Sequence, residues 1–580
     1  MNAQNDIISM NTYIGTGSGR NQHAADNNAI QDLIHKIAEG YSSVFSGLDD
    51  YLLNDPVNQS ISSVVISTYN NYIETGSERE VLNDSPRSSV TRTMRADAIE
   101  QMFSMRKEKM YDMLKSAVKA EKSAKIDDAL RYYNWAYYLL LSLPGWNTIA
   151  ENGEKLIDMI PSRVDEILDK MSFAKRQYDS KSVILDVTYK SKPVTSVDYK
   201  YYDGKDWSNI YSAKDGVGVL DFRSKIPDEI QVKCECNFIE EAHIDRDVYS
   251  LVDVFCGLVS KNDIKAVDNV SNIVSDMSYN NNLGEIDFLL TNDYLERDTL
   301  PLLTDQESLP YKKRIAKVIA AIESGKYSSV DNLFSLNGLD IYNKLISYGK
   351  ARIVDDRLSI KYTSLYGDVI CRSVPMIFSF KNNNRQFVEN VCFVFNSDTL
   401  IDRVSFGLDQ RAEDDILSHK SWSEYARKIL TEFLENYKTA YALKRIDYLR
   451  QIFDDDAYII VGKVSQRPSQ TDDAGQKYIS NQYVQRYRKS KDEYMDQLER
   501  CFNSNEFINI RFAENDIEKA GKGGEVYGIQ IKQDYYSTNY GDSGYLFLMV
   551  DLNDPQLPVI KVRVWMPERD PNFKGLPNFY

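Results

Sequence analysis

The apolar residues of this chain keep two different periods in turn, and that alternation limits its possible folds more than any single motif. Over residues 96–118, Ala96, Ile99, Met102, Phe103, Met110, Met113, Leu114 and Val118 recur on one face of a long helix, with charged residues opposite. From Ser182 the period drops to two. Val183, Leu185, Val187 and Tyr189 alternate with polar neighbours, Val197, Tyr199 and Tyr201 repeat the pattern, and Ile230, Val232, Cys234, Cys236 and Phe238 close it. Beyond residue 311 the order helices-then-strands occurs twice. Such runs describe an α+β protein, and 580 residues at roughly 100–200 per domain imply a multidomain chain.

The expected layout is a small α/β module over 1–95, a helical connector over 96–178, a β-sandwich over 179–252 and a polar linker over 253–310. Two cone-like α+β units follow over 311–412 and 420–567, with a tail over 568–580. In the first module a strand at Thr12-Tyr13-Ile14 precedes a helix carrying Ala25, Ile30, Leu33, Ile34 and Ile37. Gly15, Gly17 and Gly19 lack the G-x-G-x-x-G spacing and no Lys-Ser/Thr follows, so they read as a turn rather than a phosphate cradle. In the connector a turn near Lys125, an N-cap at Asp127 and a close-packing Ala129 predict a helical hairpin ended by Pro144-Gly145. The hairpin resembles one tetratricopeptide unit. Since a repeat array needs about three stacked units, it reads as a packing connector.

Composition excludes several functions. The 70 Lys+Arg against 86 Asp+Glu give a net charge of −16, which opposes general binding to a phosphate backbone. The basic stretch Arg486-Tyr487-Arg488-Lys489-Ser490-Lys491 reads as a solvated helix start, and Lys522-Gly523-Gly524 as a loop tip. No apolar run approaches the roughly 18–20 residues that span a bilayer. Six cysteines without a C-x-x-C pair and four scattered histidines (His23, His35, His243, His419) predict no structural metal, and no cofactor is expected.

Three stretches resemble known families. Tyr13-Ile14-Gly15-Thr16-Gly17-Ser18-Gly19 with Ala24-Ala25-Asp26-Asn27-Asn28-Ala29-Ile30 resembles the 20-kilodalton outer-membrane lipoprotein family and the N-terminal domain of flagellar assembly protein T, over roughly residues 10–120. That group's lipidated cysteine has no counterpart before Cys234, so the resemblance does not extend to a lipid anchor. Leu449-Arg450-Gln451-Ile452-Phe453-Asp454-Asp455-Asp456-Ala457 resembles the helix, turn and first strand of nuclear transport factor 2-like cones, and both C-terminal units share that layout. The strand rhythm over 179–252 is similar to an immunoglobulin-like module. The start Met1-Asn2-Ala3-Gln4-Asn5 resembles exported Bacteroidota proteins cleaved beside an Ala-Gln pair. This implies a periplasmic or outer-membrane-associated protein if a leader has been removed, and a cytoplasmic one otherwise.

The function expected from these features is a non-enzymatic cell-envelope scaffold working through protein–protein contacts, with peripheral membrane association allowed and no nucleic acid partner. Among the 40 tyrosines, Tyr132, Tyr133, Tyr137 and Tyr138 are the expected interface residues, because tyrosine offers large amphipathic area. Two other readings compete. One is a cavity in the C-terminal cone that binds a small molecule or performs acid–base chemistry, lined by Asp454 and Asp456, with neighbouring Asp455, and by Tyr527, Tyr545 and Trp565. The other is periplasmic glycan binding on an exposed tyrosine strip. No catalytic residue and no metal ligand is assigned.

Overall fold

The computed structural model describes residues 12–259, 264–267, 302–466 and 482–569, apart from 20–21, 49–59, 84–86, 179–180, 203–206, 209, 223–225, 227–229, 235, 237, 355–359, 366, 382–385, 418–421, 520–523, 538–540, 555–556 and 568. Residues 1–5, the asparagine run Asn280-Asn281-Asn282, His419, the tip at Lys522-Gly523 and the tail beyond Arg569 lie outside the described residues. The chain is a multidomain α+β protein that divides into two compact units, residues 1–294 with 384–386, and residues 295–383 with 387–580.

In the first unit, β1 (Thr12–Gly19) pairs with β3 (Ser88–Arg95), which pairs with β2 (Glu78–Asn83), and the helix α1 (Gln22–Gly40) lies on this sheet. The glycine run is therefore strand, not turn. Gly15 and Gly17 face α1, and a Cβ on Gly17 would lie 2.0 Å from the Ala25 carbonyl oxygen and 2.2 Å from the Ala29 nitrogen. Strand period two explains why alternate glycines serve one close approach. The Asp26 carboxylate on α1 takes a two-pronged pair from Arg92 (2.7 and 2.8 Å) and a bond from Arg79 (3.0 Å), tying helix to sheet.

Two short helices, α2 (Ile61–Ser67) and α3 (Asn70–Gly76), precede β2, and the long helix α4 (Ala96–Lys122) follows β3. It turns back through Ala124, whose φ of 57° allows the tight reversal, into α5 (Ile126–Leu141). The hairpin matches the sequence pattern, but Asp127 sits inside the first turn and Lys125 is the N-cap. Beyond its first turn α5 carries only Arg131 and Asn134 among apolar and aromatic residues, a composition that belongs inside a core, and α5 is buried on every face except at Asn134. It contacts α4, α6 (Leu156–Asp169), α7 (Arg246–Val259) and the strand β6 described below. Tyr132, Tyr133, Tyr137 and Tyr138 are therefore interior residues of this unit, not a surface for a partner.

The chain becomes extended at Met171, inside the stretch expected to be helical. Strands β4 (Met171–Tyr178), β5 (Ser182–Tyr189), β6 (Ser196–Tyr201), β7 (Tyr211–Lys214), β8 (Val217–Asp221), β9 (Ile230–Cys234) and β10 (Ile264–Val267) form one antiparallel path in the order β10-β9-β6-β7-β8-β5-β4. The two stacked sheets expected from strand rhythm are thus hydrogen-bonded into one sheet that bends where β7 meets β8, a junction with the single pair Lys214–Val217. There the tyrosine hydroxyls replace the missing ladder. Tyr199 accepts from the Val219 amide and donates to its carbonyl, both at 2.7 Å, and Tyr201 bonds Asp221 the same way. Unpaired backbone groups of a buried strand must find such partners. Phe173 of β4 packs edge-on against Tyr199 at 5.8 Å, so the two arms of the sheet face each other. Helix α7 and β10 occupy part of the stretch expected to be linker.

One polar cluster pins α4 to α7. Arg106, fully buried, bonds Thr68 (2.8 and 2.9 Å), stacks on Tyr69 at 3.3 Å and pairs with Asp247, which also receives Tyr72 (3.2 Å) and Lys109 (3.5 Å). Burial pushes the Asp247 carboxyl up, but the Arg106 and Lys109 charges and its hydrogen bonds outweigh that and hold it below the ordinary value. A carboxyl depressed in the folded state adds stability that is fully present above its unfolded value of about 3.9 and is lost as pH falls through its lower folded value. Acid unfolding of the intact chain should therefore show a loss in that window that Asp247→Asn removes. An unchanged acid profile in the variant would contradict the assignment.

In the second unit, Thr304 and Glu307 form a capping box that starts α8 (Asp305–Glu323), several residues earlier than expected, and α9 (Leu336–Tyr342) follows. Strands β11 (Arg352–Ile353), β12 (Lys361–Leu365), β13 (Asp368–Phe378), β14 (Phe387–Phe395) and β15 (Ile401–Phe406) form the sheet β11-β13-β14-β15, with β12 also on β13. Then come α10 (Gln410–Leu417), α11 (Glu424–Ala442), α12 (Ile446–Ile452), β16 (Phe453–Gln466), β17 (Gln482–Lys489) and α13 (Lys491–Ser504). The last strands are β18 (Ile508–Lys519), β19 (Val526–Ser537), β20 (Gly541–Asp551) and β21 (Val559–Met566), giving the order β17-β16-β21-β20-β19-β18. Among the described strand pairs of this sheet, β16–β21 is parallel and the others are antiparallel. The two helix-then-strand stretches share a core: Phe507 stacks on Phe380 at 3.7 Å and on Phe387 at 5.0 Å. Among the described residues no helix is long and apolar enough to cross a membrane.

Candidate functional site in the C-terminal sheet

Period two gives the last sheet two unlike faces. On β20, Tyr545, Phe547 and Met549 point one way with Val562, Val564 and Met566 of β21, while Leu546, Leu548 and Val550 point to the helices. On the helix side of β21 stand Arg563 and Trp565. Between them and α11 and α13 lies a cavity of about 480 Å³. Its lining includes Tyr441, Tyr494, Cys501 and Asn505 from the helical side, and Val461, Gly462, Ile510, Gln533, Tyr535, Arg563 and Trp565 from the strands. A cavity of about 300–1,000 Å³ has the dimensions of a small-molecule site.

Trp565 forms a flat wall of this space. A Cβ on Gly462 would lie 2.3 Å from its ring, and one on Gly544 would lie 2.6 Å from the opposite part of the same ring. The indole therefore lies across the two neighbouring strands, in room that only glycine leaves. Above it, tyrosines make a chain: Tyr437 and Tyr441, one turn apart on α11, share a hydrogen bond of 3.0 Å, and Tyr441 bonds Tyr494 of α13 at 2.7 Å. Burial raises the Tyr441 phenol well above its ordinary value, and burial likewise raises Tyr494 against the lowering effect of Arg563. Both remain protonated near neutral pH. Cys501 lies 3.2 Å from the Tyr535 hydroxyl.

Arg563 is the one charged residue of the lining, and only 7% of its surface is exposed. Its Nε donates to the Tyr437 hydroxyl at 3.5 Å, its guanidinium lies 4.9 Å from the Tyr494 ring centre, and its Nη1 has no partner. Among the described residues no carboxylate pairs with it. Arg372 on β13, another buried arginine of this unit, does have one, Glu435 of α11.

The sequence-predicted residues divide sharply. Trp565 lines the cavity as expected. Tyr545 lies on the opposite face of the sheet, as the strand period requires. Tyr527 is fully buried beside Trp422 (5.0 Å), bonded to Glu525 at 2.5 Å, and does not reach the cavity. The acidic run occupies a register shift between Phe453 and Tyr458 in β16, and none of its carboxylates lines the space. Asp454 pairs with Lys561 (2.5 Å), whose hydrogen bond holds it below the ordinary carboxylate value, exposed Asp455 pairs with Lys491 (2.7 Å), and Asp456 faces solvent. No group of three His, Cys, Asp or Glu among the described residues is placed to hold a metal. Arg563 was missed, although its place two residues before Trp565 on one strand put both on one face.

No family model and no curated protein matches the chain. Parts of it are similar to solved structures. Bd1075 of Bdellovibrio bacteriovorus is 15% identical, over 26% of this chain and 42% of that one, with a TM-score of 0.19. The helical cell shape determining protein Pgp2 of Campylobacter jejuni is 14% identical, over 24% and 40%, with a TM-score of 0.18. A naphthalene 1,2-dioxygenase with indole bound is 9% identical, over 26% and 84%, with a TM-score of 0.20. The chain spans less than half the length of the first two, and overlaps of this size define no common fold.

Proposed function

We propose that this protein binds a small organic molecule in the cavity between α11, α13 and the C-terminal sheet, and that this binding is its biochemical role. The observation that carries the reading is the Trp565 wall, laid flat by Gly462 and Gly544 beside about 480 Å³ of space. An indole ring in the cavity wall suits a planar ligand. Binding is favoured over acid–base chemistry because burial pushes the phenols of Tyr441 and Tyr494 away from neutrality rather than towards it.

Thermal denaturation of the intact chain against a panel of small molecules tests this, since a ligand that binds only the folded state raises its transition. Planar aromatic compounds, charged or neutral, are expected to raise the transition of the wild type by several degrees. Gly462→Leu, which drives a side chain into the indole's place, should abolish the effect. A panel without any stabilising planar compound would refute the proposal.

A further inference from the structure

We propose that the ligand of this cavity is a small planar monocarboxylate whose anionic group pairs with Arg563 while its ring lies on Trp565. This rests on the binding role proposed above and adds the charge and class of the ligand. A guanidinium taken out of water is costly unless it is paired and hydrogen-bonded. Arg372 shows how the same unit meets that demand, with Glu435 against it. Arg563 is as deeply buried, yet it holds one long bond to a neutral phenol and one ring face, that of Tyr494, at 4.9 Å, with Nη1 unpartnered. Gln533, 4% exposed on the neighbouring part of the lining, likewise has its side-chain oxygen unpartnered. The folded chain thus keeps a buried donor and a buried acceptor unsatisfied next to one cavity.

A carboxylate answers the donor, because its two oxygens match the guanidinium fork. One cation without a second beside it favours a monoanion over a doubly charged phosphate ester. The flat indole favours a conjugated ring over a saturated one. A hydroxyl or amino group on that ring supplies the hydrogen that the Gln533 oxygen lacks.

Isothermal titration of the intact chain at low salt with benzoate, benzamide, phenyl phosphate and cyclohexanecarboxylate separates these statements. Benzoate is expected to bind at least about tenfold more tightly than benzamide, the size of effect given by one charge-assisted hydrogen bond, and more tightly than the other two. In Arg563→Met the benzoate preference should vanish while benzamide still binds. The unliganded Arg563→Met protein should melt no lower than the wild type, because the variant removes an uncompensated charge. Equal binding of benzoate and benzamide, or an unchanged preference in Arg563→Met, would overturn the anion assignment and leave the cavity's binding role standing. Failure of all four compounds would overturn both. A variant that melts well below the wild type would show that the guanidinium is already satisfied in the free protein, and would also overturn the assignment.

Discussion

Replacing Glu435 with alanine is expected to lower the stability of the second unit by about 3–5 kcal/mol, the usual cost of stripping one partner from a buried ion pair. Glu435 on α11 pairs with Arg372 on β13, and both are almost wholly buried. The same carboxylate accepts from the Leu408 amide at 3.3 Å. One turn along, Lys438 pairs with Glu389 of β14 at 2.6 Å, and Thr439 accepts from the Phe406 amide at 2.9 Å. One face of α11 is therefore held to the first sheet by charges that water does not reach. The alanine variant leaves the Arg372 guanidinium buried without a counter-ion. Native-state hydrogen exchange over α11 and β13 reads the loss directly. The double variant Arg372→Met, Glu435→Leu should recover most of it, because a well-packed apolar pair can replace a buried ionic one. A single-variant loss below about 1 kcal/mol, the value of an exposed pair, would show that the pair is solvated.

The second large effect is expected at Gly17. An alanine there would place its Cβ 2.0 Å from the Ala25 oxygen and 2.2 Å from the Ala29 nitrogen, both backbone atoms that cannot swing aside. Either α1 lifts from β1 or the strand shifts. The cost should reach or exceed about 3 kcal/mol, the upper end of overpacking penalties. Lifting α1 would also strain its polar fastenings, the Lys36 bond to the Ile14 carbonyl (2.7 Å) and the Asp32 bond from the Thr16 amide (2.8 Å). Ser18→Ala, one residue on and facing solvent, should change stability by less than about 0.5 kcal/mol. Urea unfolding of the intact chain, followed with limited proteolysis of the α1 segment, distinguishes the two variants. Equal behaviour would mean that the glycine stripe does not set the helix–sheet distance.

Period explains which parts of this architecture were legible in the sequence. The α4–α5 hairpin and the strands after Ser182 follow from apolar spacing alone, because side-chain direction repeats every 3.6 or every 2.0 residues whatever surrounds it. The glycine stripe was read as a turn because glycine is permissive in both settings, and only the partner helix reveals the need for a missing side chain. Tyrosine misled in a related way. Its amphipathic ring suits an interface as well as a core, and whether Tyr132 or Tyr138 is covered depends on α4, α6, α7 and β6 arriving around α5.

The cavity was half visible. Trp565 was identified as a lining residue, but the acidic run Asp454-Asp455-Asp456 drew attention by composition and lies outside the cavity, with Asp454 and Asp455 paired to Lys561 and Lys491. What marks Arg563 is the lack of a counter-charge, and a missing partner is a property of three-dimensional packing. Two helices contribute the tyrosines that surround it, from positions 53 residues apart. No local pattern links them.

A crystal structure of the intact chain grown with benzoate tests the account most directly. Carboxylate density within hydrogen-bonding distance of the Arg563 guanidinium, with the benzene ring against the Trp565 indole, is the predicted result. A side-chain carboxylate of the protein itself seated on Arg563, with benzoate excluded from the space, would contradict it.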